Sequence, residues 1–214
     1  MPRKQTYEGR SVRVHFDPGR CIHARECVLG LPAVFRSDER AWVHPDEAAA
    51  DELAAVIRNC PSGALTYERL DGEGVETPPT VNRVRLWEHG PLEFRGQLKV
   101  AGEEAGTRAV ICRCGRSKNK PWCDNSHRDM GFKATGEPKV TETPEELSAR
   151  GGELSLTPLK DGPMQVIGNL EIIAGSGRRL DCSTETYFCR CGGSGRKPYC
   201  DGTHARIGFK ADGE

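Results

Sequence analysis

The sequence predicts an α+β protein: a small mixed module at the N-terminus, followed by a β-rich unit that occurs twice. Three observations carry this reading. Val12, Val14 and Phe16 alternate as a strand does, whereas Leu53, Val56 and Ile57 recur at helical spacing, so one module holds both periodicities. Three blocks of sequence further along return at one constant offset, which marks a repeated unit. The chain is also lean. Hydrophobic residues make up 36% of its 214 positions against 29% charged, with 25 Gly and 14 Pro. Such units bury thin cores and need further cross-linking, for which ten cysteines are available.

Taken in chain order, the first module covers residues 10–70. After its strand, Asp46 is placed to cap a helix running to about residue 59, which Cys60-Pro61-Ser62-Gly63 ends. Asp71-Gly72-Glu73-Gly74 through Pro78-Pro79 has no apolar pattern and reads as a linker. The two copies then occupy 81–137 and 153–214. Cys112-Arg113-Cys114-Gly115 returns as Cys189-Arg190-Cys191-Gly192, Pro121-Trp122-Cys123-Asp124 as Pro198-Tyr199-Cys200-Asp201, and Gly131-Phe132-Lys133-Ala134 as Gly208-Phe209-Lys210-Ala211, all 77 residues apart. Upstream, Gly90-Pro91-Leu92 matches Gly162-Pro163-Met164 at an offset shorter by five, so the second copy carries an insertion, with Gly175-Ser176-Gly177 as a turn. Each copy reads as two β-rich runs, 92–100 and 109–111, then 164–173 and 186–188. A cysteine-rich loop and a short helical turn follow, with Asp124 and Asp201 placed as N-caps. Residues 138–152 form a polar connector, with one helical turn expected at 144–149.

Lys plus Arg and Asp plus Glu both number 31. Zero net charge excludes a general nucleic-acid binder, which needs a basic excess. No stretch approaches the ~18 apolar residues of a membrane span. The segment starting Met1-Pro2-Arg3-Lys4 lacks the apolar core of a signal peptide. The expectation is therefore a cytoplasmic protein, where clustered cysteines read as metal or redox groups before disulfides.

Two ligand sets stand out: Cys112, Cys114, Cys123 and His127, then Cys189, Cys191, Cys200 and His204. Both follow C-x-C-x8-C-x3-H. Thiolates hold iron or zinc tightly and an imidazole completes a four-ligand site. The x3 spacing puts the last Cys and the His one helical turn apart, on one side. Two matching sets exclude an accident of composition, but spacing alone leaves a Cys₃His zinc site open. His15, His44 and His89 belong to no such set and read as surface or hydrogen-bonded histidines.

The two loops resemble the CDGSH iron–sulfur domain family, whose motif is C-x-C-x2-(S/T)-x3-P-x-C-D-G-(S/A/T)-H. Ser117, Pro121 and Asp124 in copy one, and Ser194, Pro198 and Asp201 in copy two, occupy the motif's positions. Copy one departs at Asn125, where the family has Gly, and Asn is among the residues that tolerate a positive φ. The resemblance implies one [2Fe–2S] cluster per copy on the three cysteines and the histidine just named. It also implies a small pseudo-twofold β-sandwich built from two copies, with short helical turns at the clusters. Here both copies lie in one chain, so intramolecular pairing and a monomer are expected. Histidine ligation lowers the cluster's negative charge and raises its potential above that of plant-type ferredoxins. The cations Arg113, Arg116, Lys118 and Lys120, with Arg190, Arg196 and Lys197, read as charge compensation for an anionic cluster or as a docking patch for an acidic redox partner. Trp122 and Tyr199 read as a lid over the cluster.

In the first module, Cys21, Cys27 and Cys60-Pro61 follow part of the ferredoxin pattern C-x2-C-x2-C with a distant C-P, but Ala24 replaces the middle cysteine. Together with Val34-Phe35, this resembles the divergent single-cluster ferredoxin module. It implies a ferredoxin-like domain with a cubane-type cluster: [3Fe–4S] on three thiolates, or [4Fe–4S] with His23 or water as fourth ligand. A ferredoxin-shaped domain without a cluster is the alternative. Cys182 has no counterpart in copy one and reads as an unliganded thiol. No catalytic constellation is present. The expected function is an electron carrier or redox sensor acting on a partner protein, the rivals being cluster storage and transfer to an apo iron–sulfur acceptor, or a zinc-stabilised interaction module.

Overall fold

β1 (Gln5–Tyr7) and β2 (Val12–Phe16) open the first unit, and β2 takes the register that its alternating valines require: Val12 and Val14 are buried. A computed structural model describes residues 3–139 and 146–214, and the chain divides into two units, Met1–Thr77 and Pro78–Glu214. In the first unit, α1 (Glu26–Gly30) and α2 (Ala50–Arg58) lead to β3 (Leu65–Arg69) and β4 (Gly74–Val75). The sheet has the order β1-β2-β3-β4 and is antiparallel throughout.

α2 packs on α1 and β3, with Leu53 and Ile57 fully buried and Val56 at the margin, as the periodicity requires. Trp42 closes the core with its ring edge-on to Phe16 at 4.9 Å. Two expectations need correction here. Asp46 does not cap α2. It lies in a separate 3₁₀ turn, Pro45–Glu47, and its carboxylate accepts the Arg10 backbone N–H at 2.8 Å, because extended backbone at Ala48 separates that turn from the helix. The expected linker is partly strand: positive φ at Gly72 and Gly74 turns the chain back, and β4 pairs with the end of β3.

The second unit holds three strands per copy: β5 (Arg83–Leu86), β6 (Leu92–Val100) and β7 (Glu103–Ile111), then β8 (Glu153–Pro158), β9 (Met164–Ile173) and β10 (Arg179–Phe188). β6 and β9 have the predicted bounds. The runs 109–111 and 186–188 are only the ends of longer strands, buried throughout in the first and at Phe188 in the second, since Glu103, Glu104, Thr184 and Glu185 lie on exposed portions without apolar signal. β5 and β8 are additional. Their signal is a brief alternation, Val84 with Leu86 and Leu154 with Leu156, all fully buried. The expected helical turn at 144–149 falls partly outside the described residues, and 146–149 contains no helix.

The pairing decides the architecture. β5 runs antiparallel to β6 but parallel to β9, while β8 runs antiparallel to β9 but parallel to β6. The four inner strands thus close into a ring, with β7 and β10 on its flanks. Each copy lends its first strand to the other, so the inner strands have no open edge. Where a two-sheet sandwich was expected, the two parallel pairings join its halves into a closed ring. Leu92, Phe94 and Leu98 pack with Leu156, Val166 and Leu170 in one core drawn from both copies. Buried Asn82 fastens them at the backbone: its amide donates to Gly152 O at 3.0 Å and Asn169 O at 2.9 Å.

Candidate metal centres

β7 and β10 end one residue before Cys112 and Cys189, so the first ligand of each set is held by a strand end. The loop then folds back. Cys112 N donates to Pro121 O at 2.8 Å and Cys123 N to Val110 O at 2.9 Å, and the second copy repeats this between Cys189 and Pro198 and between Cys200 and Tyr187, both at 2.8 Å. Ser117 Oγ donates to Trp122 O and Ser194 Oγ to Tyr199 O, both at 2.7 Å. The Lys120–Pro121 and Lys197–Pro198 peptides are both cis. Asp124 and Asp201 accept the Ser126 and Thr203 backbone N–H groups at 3.0 Å, close to the predicted capping role, although the residues at the cap itself are Asn125 (φ 70°) and Gly202 (φ 81°). Asn125 does adopt the left-handed conformation that the family's Gly adopts in copy two. α3 (Ser126–Asp129) and α4 (Thr203–Arg206) then present His127 and His204.

The side chains gather as two pairs per copy. Cys112 Sγ lies 3.7 Å from Cys114 Sγ, and Cys123 Sγ lies 3.6 Å from His127 Nδ1. The second copy gives 3.8 Å for Cys189 and Cys191 and 3.3 Å for Cys200 and His204 Nδ1. Among the described residues, no three such side chains converge on one ion position. Two donors at each of two positions suit a diiron core, whereas a lone zinc ion draws four donors round one point. Backbone N–H groups also aim at the sulfurs: Asn125 N at Cys123 (3.4 Å), Gly193 N at Cys191 (3.3 Å) and Gly202 N at Cys200 (3.5 Å).

Electrostatics divide the ligands. Cys112 is lowered to about 6 by the hydrogen bond from the Cys114 thiol, which is itself raised, so the pair gives up one proton readily. Burial pushes Cys123 up to about 11. Burial, reinforced by the Arg128 charge, lowers His127 and so favours the neutral imidazole that binds metal.

Arg113 and Arg190 are not surface charges, which corrects the docking reading for these two. Both are buried at 1% exposure. Arg113 donates to Gly90 O at 2.9 Å and Trp87 O at 2.6 Å, and Arg190 to Gly162 O at 3.0 Å and Leu159 O at 2.6 Å. Burial lowers Arg113 to about 10, with Cys189 of the other copy opposing the shift, and Arg190 is lowered likewise against Cys112. Each guanidinium thus feels the charge of the opposite copy's first cysteine, while its hydrogen bonds go to carbonyls of its own copy. Trp122 and Tyr199 pack against the ring core, Tyr199 stacking on Phe188 at 5.9 Å, which anchors the ligand loop to the barrel.

The copies touch directly at Gly115 and Gly192. A Cβ on Gly115 would lie 2.4 Å from Cys191 O, and one on Gly192 would lie 2.4 Å from Cys114 O. Beside this contact is a cavity of about 770 Å³ lined by Arg116, Lys118 and Lys120 from copy one and Lys160, Cys191 and Lys210 from copy two. The sites differ in shielding. Cys114 and Cys123 are buried, and Cys112 and Cys114 share a small apolar cluster with Phe132 and Ala134, whereas Cys191 and Cys200 are half-buried.

In the first unit, Cys21, Cys27 and Cys60 line one cavity of about 470 Å³ together with His23, Trp42 and Ser62. Burial raises Cys21, and raises Cys27 to about 11. The structure thus gathers each four-residue set as two pairs and places the three N-terminal cysteines on one cavity. Cys182 stands apart, paired across β10 and β9 with Glu171 and in no disulfide.

Duplicated thiol and imidazole donors define these sites as candidate metal centres, and the family matches make the chain an iron-binding protein. Residues 89–128 and 161–205 match the family described as iron-binding zinc finger CDGSH type, and residues 7–70 match a divergent 4Fe-4S mono-cluster family. Two curated relatives, both named Uncharacterized protein YjdI, come from Escherichia coli (strain K12) and Escherichia coli O157:H7. Each is 38% identical over 61 residues, which is 28% of this chain and 80% of the relative, and the similarity lies in the N-terminal region. The chain belongs to the CDGSH iron–sulfur family in tandem form, preceded by a divergent mono-cluster ferredoxin domain. No helix among the described residues is long and apolar enough to cross a membrane.

Proposed function

We propose that the chain is an electron carrier or redox sensor, with a [2Fe–2S] cluster in each copy and a cubane-type cluster, [3Fe–4S] or [4Fe–4S], in the first unit. The observation that carries this is the duplicated two-pair ligand arrangement at the ends of β7 and β10. A bound cluster supplies a one-electron couple. The chain supplies the rest: neutral His127 and His204 in place of thiolates, buried Arg113 and Arg190 against the net negative charge, and backbone N–H groups on the sulfurs. In this reading the chain is a carrier rather than a catalyst and works in the cytoplasm. Strand exchange, the reciprocal Gly115 and Gly192 contacts and the reciprocal Arg113 and Arg190 placements support a pseudo-twofold unit complete within one chain, hence a monomer. Light scattering that finds an obligate dimer overturns that part.

The basic cavity beside Cys191 suits an acidic redox partner protein. The half-buried Cys191 and Cys200 favour a second reading, cluster delivery to an apo acceptor. Mixing holo-protein with an apo-ferredoxin separates the two: electron exchange without iron loss supports carriage, and rapid iron loss supports delivery. The decisive test of the whole reading is the visible spectrum and iron content of purified protein at neutral and acid pH. About four irons per chain means two diiron sites only, and seven or eight means that the first unit is loaded as well. A colourless zinc protein refutes the proposal.

A further inference from the structure

The first unit holds three thiolates where the four-cysteine ferredoxin pattern has one more, with Ala24 in that place. An alanine methyl cannot bind iron, so either one corner of the cluster lacks a protein ligand or another side chain supplies it. His23 Nδ1 lies 4.0 Å from Cys21, and Ser62 Oγ lies 3.7 Å from Cys60. Ser62 is a poor candidate. Its hydroxyl also accepts the Ala64 N–H at 3.3 Å, and a neutral hydroxyl is a weak iron ligand beside an imidazole. Of the two carboxylates that line the same cavity, Glu39 is occupied by His44 Nε2 at 2.8 Å, and Glu26 is a hard oxygen donor, less suited to a cluster iron than an imidazole.

His23 has three features in its favour. It lines the cavity shared by Cys21, Cys27 and Cys60. It offers Nδ1, the same atom that His127 and His204 present beside their cysteines. Its backbone also takes an uncommon course, since His23 (φ 53°) and Arg25 (φ 69°) both occupy the left-handed region, flanking Ala24. Non-glycine residues in that conformation are infrequent and collect at functional loops. The turn they make carries the chain past position 24 while leaving the imidazole at the cavity.

We propose that His23 is the fourth protein ligand of the N-terminal cluster, making it a [4Fe–4S] centre with three cysteines and one histidine. This rests on the reading that the first unit carries a cluster at all. The test is iron content together with EPR of the oxidised full-length chain. Oxidised [2Fe–2S] and [4Fe–4S] centres are EPR-silent, whereas an oxidised [3Fe–4S] centre is paramagnetic. The wild type is expected at about eight irons and silent. His23→Ala is expected to drop to about seven and gain the three-iron signal, while His23→Cys keeps about eight, stays silent and shifts the potential downward. A silent His23→Ala chain still holding about eight irons overturns the proposal, as does a wild type that already shows the three-iron signal. About four irons in the wild type overturns the prior reading of a loaded first unit, and the proposal with it.

Discussion

Gly115→Ala tests the contact on which the paired arrangement of the two copies depends. Gly115 has φ 79°, and an added Cβ would lie 2.4 Å from Cys191 O and 2.7 Å from Cys191 C. Those atoms are backbone of the opposite ligand loop and cannot swing aside as a side chain would. Forcing an L-residue into the left-handed region costs roughly 1–2 kcal/mol, and overpacking against a fixed neighbour adds about 1–3 kcal/mol. A loss of about 2–5 kcal/mol lowers the melting temperature of a domain this size by roughly 8–20 °C. Gly177→Ala provides the comparison: φ is 92° there, but nothing lies within 4 Å of an added Cβ, so only the conformational part, about 1–2 kcal/mol, applies. Thermal unfolding followed by circular dichroism, with iron content matched, measures both. If Gly115→Ala melts no lower than Gly177→Ala, the two ligand loops do not meet as described. The Gly115→Ala/Gly192→Ala double variant should lose less than the sum of the singles, because both act on one interface.

Three further outcomes are expected. With one site disabled by Cys112→Ser or Cys189→Ser, a chelator should bleach the chain that keeps only the second site faster, since Cys191 and Cys200 are half-buried where Cys114 and Cys123 are buried; equal rates would show that shielding does not govern access. Folded His127 is held below its ordinary pKa by burial, so near pH 6 the unfolded chain binds more protons and stability falls as pH falls through that range. His127→Cys with His204→Cys should therefore slow acid bleaching and lower both potentials, and unchanged acid sensitivity removes the imidazoles from the mechanism. Arg113→Lys keeps the charge but cannot serve Gly90 O and Trp87 O together, so it should cost about 1–3 kcal/mol for an unpaired carbonyl, read as a lower melting temperature with iron still bound.

The two candidate ligand sets were legible in the sequence because a metal site constrains residue type and spacing together. A displaced Cys123 or His127 breaks the repeat, so the repeat itself exposes them. β6 and β9 were legible for a similar reason: both lie in the shared core and carry apolar residues along most of their length. β5 and β8 were not, because two buried residues in β5 and three in β8, set between polar residues, give little periodicity. Their meaning is non-local, since each pairs with a strand of the other copy, far away in sequence. The role of Arg113 was hidden by its neighbours. Arg116, Lys118 and Lys120 are on the surface or half-buried, and charge alone does not tell a buried clamp from a solvated cation.

Carrying both copies on one chain changes what the sites can become. Two identical chains related by a true twofold axis must have identical sites, so any change in shielding occurs at both. In a tandem chain the copies vary separately while the strand exchange still binds them together. The differences already present follow that logic. Phe132 is buried beside Cys112 and Cys114, with the Lys197 ammonium of the other copy 6.0 Å from its ring, while Phe209 is only half-buried beside the second site. Asn125 stands opposite Gly202, and Trp122 opposite Tyr199, whose hydroxyl donates to Asp181 in the neighbouring β10. The scaffold contacts, by contrast, have stayed paired: Gly115 with Gly192, Arg113 with Arg190, Ser117 with Ser194. Symmetry is retained at the glycines where the two loops touch and at the arginine and serine clamps that fix each loop to its own backbone, and relaxed in the side chains that set how far each centre is covered, which is the distribution expected if the shared barrel must stay intact while the two centres take on unequal exposure.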